Sequence, residues 1–473
     1  MRMFIFLLFL ATLLASSIHS EQQDLRPEFL FSYYAGDYEK AHDLLLKNAF
    51  RDSTTVLVWE ERIHQQAEIP NCDYHRQSNP SIHAMAQLRV GDVQKAKDGF
   101  EKDWISLWGL ATLSLWENDW TGAQNQIEEA LALAPERPEL LYFSADVAGN
   151  PGKSITLFQK YLSLPTDDPE KRRIAEYSIR FMEKTKGMPL NVVWMPSSFT
   201  RIDSNFTDGR LTVKGTINGN QSVNLMVDTG ADGLTLEEKK WQPRITTDLL
   251  LSGLGKNEMV KATRAVFDTF SLGKVTIRNP VTSISPTMKM TGIDGIAGTI
   301  VFGDYLVLLS LKSGKDIMLF LPTEDPLALL EKEGLHFKKE MSLPFRLVSK
   351  MIILKGRIKK SDDQMDILLD TGAQRSVLST AAAKKYARIN YFLTRQLNPT
   401  IVGVGGKTGT FIAENVEIQV GSAKREFPRM ITLNLAEVSE SLSLDIDMLL
   451  GRDFLEGYSL LIDYRKRNVT FLR

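Results

Sequence analysis

Apolar positions along the chain fall into two regimes. From residue 24 to 186 they recur at helical spacing, in pairs of segments joined by a tight polar turn. Three stretches share this form: YYAGDYEKAHDLLLKNAF (33–50), QLRVGDVQKAKDGF (87–100) and LWENDWTGAQNQIEEALALAP (115–135). In each, an apolar segment ends at Gly-Asp or Asn-Asp, and a second helix follows with an alanine at a fixed offset, Ala41, Ala96 or Ala123. A small residue there lets paired helices approach closely. Pro135, Pro138, Pro165 and Pro169 punctuate the later repeats. Beyond GMPLNVVWMPSSF (187–199), which reads as a linker, the spacing changes to short alternating segments between Gly, Asn and Asp turns. RLTVKGTINGNQSVNLMVD (210–228) is an example, and the pattern is that of β-strands.

The expected organisation is multidomain: an all-α helical-repeat domain (24–186), a linker (187–202), and two all-β domains (203–322 and 341–473) joined by a charged connector (323–340). The helical segments resemble degenerate tetratricopeptide repeats over about residues 25–185, with uneven intervals. Ala41 to Ala96 is 55 residues and Ala96 to Ala123 is 27, whereas the ideal period is about 34. The resemblance implies a concave surface that takes a protein or peptide partner. The competing expectation is a helical domain that packs against the rest of the chain.

The β-rich halves repeat one another. NLMVDTGADGLTL (224–236) and MDILLDTGAQRSVL (365–378) each place Asp-Thr-Gly-Ala directly after an apolar run. Gly215 lies 13 residues before Asp228, and Gly356 lies 14 before Asp370. Downstream, Asp294-Gly-Ile-Ala-Gly298 parallels Asp447-Met-Leu-Leu-Gly451. The halves close alike, with 18 residues from Gly298 to Asp316 and 17 from Gly451 to Asn468. Between these marks each half has a glycine-rich turn, SGLGKNE (252–258) and VGVGGKTG (402–409).

Over about residues 203–473 this arrangement resembles the retropepsin-like aspartic peptidases, with both halves in one chain as in pepsin. The resemblance implies two acid-protease-type β domains with Asp228 and Asp370 as catalytic residues. It implies that Thr229 and Thr371 hydrogen-bond across the pseudo-dyad, that Gly230 and Gly372 turn the backbone towards the carboxylates, and that Ala231 and Ala373 stand where pepsins have a hydroxyl. The glycines of the two turns (Gly253, Gly255, Gly403, Gly405 and Gly406) become candidates for flaps over the cleft; an ordinary hairpin is the plainer alternative. Leu449-Leu450-Gly451-Arg452-Asp453 matches the second motif of the family well. The first half departs from it, with Thr299-Ile300 after Gly298, and with Leu234 where the second half has Ser376.

The chemistry explains why the motif comes twice. Hydrolysis of an amide by water needs a base for the water and an acid for the carbonyl oxygen. Two carboxyls about 3 Å apart cannot both ionise cheaply, so they share one proton and supply both functions. Losing the hydroxyls at Ala231 and Ala373 leaves the pair less acidic, so a mildly acidic optimum is expected. No metal, nucleotide or other cofactor is needed.

Composition narrows the remaining choices. Hydrophobic content of 43%, charged content of 24% and a net charge of −1 are those of a globular protein without a basic surface for nucleic acid. The start, MRMFIFLLFLATLLASSIHSEQQ, has Arg2, a 12-residue apolar run from Phe4 to Ala15, and small residues for cleavage after Ser17. Residues 1–20 therefore read as a secretory signal, with an uncleaved anchor as the alternative, and the mature chain is expected to lack a membrane span. Cys72 is the single cysteine, so no intrachain disulfide forms. The six histidines form no HExxH, Cys72 and His75 lack a second ligand pair, and no metal site is expected. The whole points to an exported, periplasmic aspartic endopeptidase acting on a peptide or protein. Two alternatives stay open: a non-catalytic binding scaffold, and a peptidase whose like halves pair between two chains.

Overall fold

In the computed structural model the chain is described at residues 25–49, 53–66, 79–165, 169–195, 197–207, 209–239, 241–251, 260–311, 316–321, 325–359, 361, 363–386, 401–403, 406–408 and 411–473. The signal-like segment, Cys72, His75, Gly253, Gly255 and Gly405 lie outside the described residues. The fold class is the expected one, a helical N-terminal region followed by a β-rich region.

A single turn device builds the helical hairpins. The first helix of each pair stops at a left-handed residue: Gly36, Gly91, Asn118 or Gly149, with φ of 69°, 80°, 64° and 62°. The next residue (Asp37, Asp92, Asp119 or Asn150) caps the following helix by accepting its first free N–H groups. One turn on, Ala41, Ala96, Ala123 and Ser154 are each 0% exposed, so the small side chain sits where the two helices meet. The four pairs are Arg26–Tyr34 with Tyr38–Leu44, Pro80–Arg89 with Val93–Gly99, Trp104–Trp116 with Trp120–Leu133, and Pro138–Val147 with Pro151–Ser163. Helices Ser53–Gln66 and Pro169–Lys184 complete the region.

Each β half is organised around a crossing of three strands. In the first, Gln221–Asp228 runs parallel to Gly295–Gly298, which is antiparallel to Leu234–Glu237. In the second, Met365–Leu369 runs parallel to Met448–Leu450, which is antiparallel to Val377–Ser379. The strand after each Asp-Thr-Gly-Ala loop then pairs in parallel with a later strand, Val281–Ser285 or Ala423–Leu433. The repeat in the sequence is thus a repeat in topology.

A six-stranded antiparallel sheet joins the halves. Its order is Lys339–Pro344, Asn468–Leu472, Ser459–Asp463, Leu306–Leu309, Asp316–Phe320, Phe199–Thr207, three strands from each half. At its centre Leu306 to Leu309 pair with Asp463 to Leu460, so the halves meet within one chain. The segment read as a linker is more ordered than its composition implies. It carries the strand Val192–Trp194, paired with Val275–Arg278, and begins Phe199–Thr207. The connector likewise carries the helix Pro326–Lys332 and begins Lys339–Pro344.

The helical region is fastened to both halves. Ile82, Met85, Trp108 and Phe143 share one apolar core with Ile353, Leu368, Leu435 and Leu449 of the second half. Fully buried Arg62 reaches Asp445 at 2.5 Å, and Arg89 reaches Glu440 at 2.8 Å. Tyr34 donates to the same Glu440 at 2.6 Å. Of the two expectations for this region, a domain packed against the rest is what these contacts describe.

The small-residue device makes a test. Ala123→Leu forces extra volume between two touching helices and is expected to cost about 1–3 kcal/mol. Thermal unfolding should show a lowered Tm for this variant and a near-unchanged one for Trp120→Ala, whose ring is exposed.

Candidate active site

Burial drives each apolar run into a sheet and leaves its acid at the end. Leu225, Met226 and Val227 precede Asp228, and all are buried. Ile367, Leu368 and Leu369 precede Asp370 and are buried as well. The registers match: Asp228 stands opposite Gly298, and the Asp370 N–H donates to the Leu450 carbonyl at 3.1 Å. Behind each loop the crossing strand comes so close that only glycine fits. A Cβ on Gly298 would lie 2.3 Å from the Ala231 carbonyl oxygen, and one on Gly451 would lie 2.5 Å from the Arg375 carbonyl carbon.

The two loops meet face to face through their threonines. The Thr229 N–H donates to the Thr371 hydroxyl and the Thr371 N–H to the Thr229 hydroxyl, both at 3.0 Å. Each hydroxyl then donates across the boundary, Thr229 to the Leu369 carbonyl at 2.7 Å and Thr371 to the Val227 carbonyl at 3.2 Å. These four bonds lie in a dry environment, with Thr229 1% and Thr371 0% exposed. Buried polar groups of this kind are costly to leave unpaired, so the network fixes the relative position of the loops.

That position brings Asp228 and Asp370 together. Gly230 and Gly372 both donate their N–H to Asp228 Oδ1, at 2.7 and 3.3 Å, and Ala373 donates to Asp370 Oδ1 at 2.8 Å. A Cβ on Gly372 would lie 2.5 Å from Asp228 Oδ2, so no larger residue admits this approach. Burial and the negative field of Asp370 push the Asp228 carboxyl well above the ordinary aspartate value of 3.8. Burial also raises Asp370, while the N–H of Ala373 and a hydrogen bond from Asp228 work the other way. Carboxyls placed in this way titrate as a pair, and the two steps belong to the pair rather than to either acid.

The two halves support their loops differently. In the second, Asp453 Oδ1 accepts the Ser376 hydroxyl at 2.6 Å and the Ser376 N–H at 2.7 Å, and the Gly451 N–H donates to Ser376 Oγ at 3.0 Å. Leu234 has no such oxygen. The Gly298 N–H donates instead to the Gly233 carbonyl at 2.8 Å, so the donor is satisfied by backbone. Thr299, where the sequence departs from the second half, hydrogen-bonds the buried Tyr464 of the second half. Nothing in the local pattern pointed to Tyr464, because its partner lies 165 residues away.

Of the glycine-rich turns, the structure describes stems. Ile245–Leu251 and Val260–Val266 pair antiparallel, as do Ile401–Gly403 and Gly406–Thr408, with Gly403 opposite Gly406. The first hairpin is backed by the helical region, a feature the sequence did not reveal. Leu250 packs with Leu141, Tyr142 and Phe158. Lys184 Nζ donates to the Thr246 carbonyl at 2.9 Å, and Phe181 packs on Val266. Buried Arg264 and three half-buried ionisable groups lie at this junction. Asp232 of the first motif loop, Arg264 of the hairpin, Lys350 of the second half and Asp146 of the helical region act on one another, and burial pushes Arg264 down to about 10.

A family model described as aspartyl protease matches residues 213–301 and 354–454, two stretches of the β-rich region. No curated protein matches the chain. Among solved structures, conglutin gamma, a basic 7S globulin from lupine seeds, is similar at 12% identity. That likeness covers 58% of this chain and 94% of that one, with a TM-score of 0.36. The basic 7S globulin from soybean is similar at 12% identity, over 58% and 95% of the two chains, with a TM-score of 0.34.

The threonine network yields a direct expectation. Thr371→Val keeps the shape but orphans the Thr229 N–H and the Val227 carbonyl, at a cost of about 1–3 kcal/mol for each buried group. Urea denaturation should show a clearly lowered midpoint for Thr371→Val and a smaller loss for Thr371→Ser, which retains the hydroxyl.

Proposed function

We propose that the protein is an exported aspartic endopeptidase whose single site is formed by Asp228 and Asp370 of one chain. The observation that carries the reading is the pair itself: two facing acids, buried Asp228 and half-buried Asp370, each in an Asp-Thr-Gly-Ala loop and locked together by crossed threonine bonds. In this reading Asp370 takes a proton from a water placed between the carboxyls. The oxygen of that water attacks the scissile carbonyl carbon while Asp228 gives its proton to the carbonyl oxygen. Collapse of the resulting diol breaks the C–N bond, and the nitrogen leaves with a proton from the dyad. The N–H groups of Gly230, Gly372 and Ala373 hold the carboxyls in place as the proton moves between them.

Export and a periplasmic location rest on the charged start, apolar run and small residues of the first 20 positions. No helix among the described residues is long and apolar enough to cross a membrane. We read the helical region as tetratricopeptide-like from its turn-and-alanine device, and as a part of the molecule that braces the first hairpin.

Cleavage of a diverse peptide mixture tests the reading. Asp228→Asn and Asp370→Asn are each expected to abolish cutting, because each removes one of the two functions of the dyad. Equal cleavage by wild type and both variants would sink the proposal. Activity per chain should also be constant on dilution, since both acids belong to one chain.

The raised acids set the pH dependence. Activity needs one proton on the pair, so the profile is a bell bounded by the two steps in which the pair loses its protons. Both acids are raised from 3.8, which gives a bell with a mildly acidic maximum. A maximum at about pH 2, as for a dyad of ordinary pepsin type, would contradict this.

Stability follows the same sign. A carboxyl raised in the folded state contributes fully below its unfolded value and loses that contribution as pH rises through its folded value. Asp228→Asn should therefore melt above wild type in neutral and alkaline solution, with the difference shrinking as pH falls towards 4, the ordinary carboxylate range.

A further inference from the structure

Far from the dyad, three side chains of metal-binding type converge between two helices. Glu60 and His64 stand four residues apart on Ser53–Gln66, which places them on one face, and His42 comes from Tyr38–Leu44 across the hairpin. Their ligand atoms all lie within 4.8 Å of one another. His42 Nε2 is 3.9 Å from Glu60 Oε1, an ion-pair distance rather than a hydrogen bond. The two imidazoles are 5.9 Å apart between ring centres, with their planes at 67°. Adjacent Glu61 is turned away to His83, which it meets at 2.5 Å, so it does not compete for the same space.

We propose that His42, Glu60 and His64 form a zinc-binding site that clips the second helix of the first hairpin to Ser53–Gln66. Two imidazoles and a carboxylate are a donor set suited to zinc and poorly suited to magnesium or calcium, which prefer all-oxygen ligands. Around tetrahedral zinc, with bonds of about 2.0–2.1 Å, ligand atoms stand about 3.4 Å apart. The three groups must draw together from within 4.8 Å to reach that spacing, and a water would complete the fourth position.

The place of the site gives it a consequence. Arg62, on the opposite face of the same helix, and Trp59 and Ile63 on its flank are each 0% exposed. Arg62 lies with its guanidinium carbon 3.7 Å from the Trp59 ring centre and reaches Asp445 of the second β half at 2.5 Å. A metal on one face therefore fixes the helix whose other face fastens the helical region to the protease-like body. The site escapes the sequence because its ligands come from two helices, in neither an HExxH nor a cysteine spacing.

The test uses full-length protein stripped with a chelator and titrated calorimetrically with Zn²⁺ alone, beside Glu60→Gln, His64→Asn and His42→Ala. Wild type is expected to bind one equivalent, with affinity at least tenfold weaker in each variant and no binding of Mg²⁺. Zn²⁺ should also slow hydrogen exchange in residues 38–66 of wild type and not of the variants. Glu60 and His64 are half-buried, so their variants keep the test valid if His42→Ala fails to fold. Absence of a bound equivalent in wild type overturns the proposal. So does equal binding by wild type and the Glu60 and His64 variants, which places zinc elsewhere on the chain.

Discussion

Two carboxyls that repel one another must be held in contact and largely sheltered from water, and the surrounding structure answers that constraint. Left alone, Asp228 and Asp370 would separate and hydrate. Their strands end in opposed loops, and each loop is pinned to the other through buried threonine hydroxyls rather than through the acids themselves. The N–H groups that touch the carboxyls come from residues two and three places along the same loops, or from the facing glycine. Glycine at 298 and 451 lets the crossing strand sit directly behind each loop, so the loops cannot fall back. The six-stranded sheet then closes the pseudo-dimer at its base and makes the separation of the halves a matter of unfolding rather than hinge motion.

The halves reach the same end by unequal means. The second uses a side-chain relay, Asp453 to Ser376 to the Gly451 N–H. The first replaces the relay with a backbone bond from Gly298 to Gly233 and adds a bond from Thr299 to Tyr464 of the other half. What looks in sequence like decay at Leu234 is a substitution of one satisfied donor for another. A decayed site would leave the Gly298 N–H buried and unpaired, which the structure avoids.

Much of this was legible because it is local or repeated. The Gly-Asp turns with alanine four residues on needed no tertiary knowledge, since capping and close helix approach act within one hairpin. The paired Asp-Thr-Gly-Ala loops announced a contact between distant segments because a symmetric site must use the same residues twice. The strands at 192–194 and within the connector were not legible. Val192–Trp194 is short and gains its partners from Val275–Arg278, so its order comes from the sheet it joins rather than from its own composition. Tyr464, the quartet of Asp146, Asp232, Arg264 and Lys350, and the pairing of Arg62 with Asp445 all depend on contacts between regions, for which a single chain carries no local signal.

Those contacts change what the helical region is for. A tethered recruitment module would keep its own core and touch the β-rich body at a small polar surface. Here the core of the helical region runs without a break into the second half, through Trp108, Ile353, Leu368 and Leu449. Its last helix backs the first-half hairpin through Lys184 and Phe181, and its Asp146 faces charges beside the first motif loop. Buried ion pairs such as Arg62 with Asp445 add little net stability over apolar packing, but they penalise any other docking by leaving a charge unpaired. The region thus selects one arrangement of hairpin, loop and second half. Shape at the paired acids, fixed inside by threonine hydroxyls, is fixed from outside by the helices that back the hairpin and the second half.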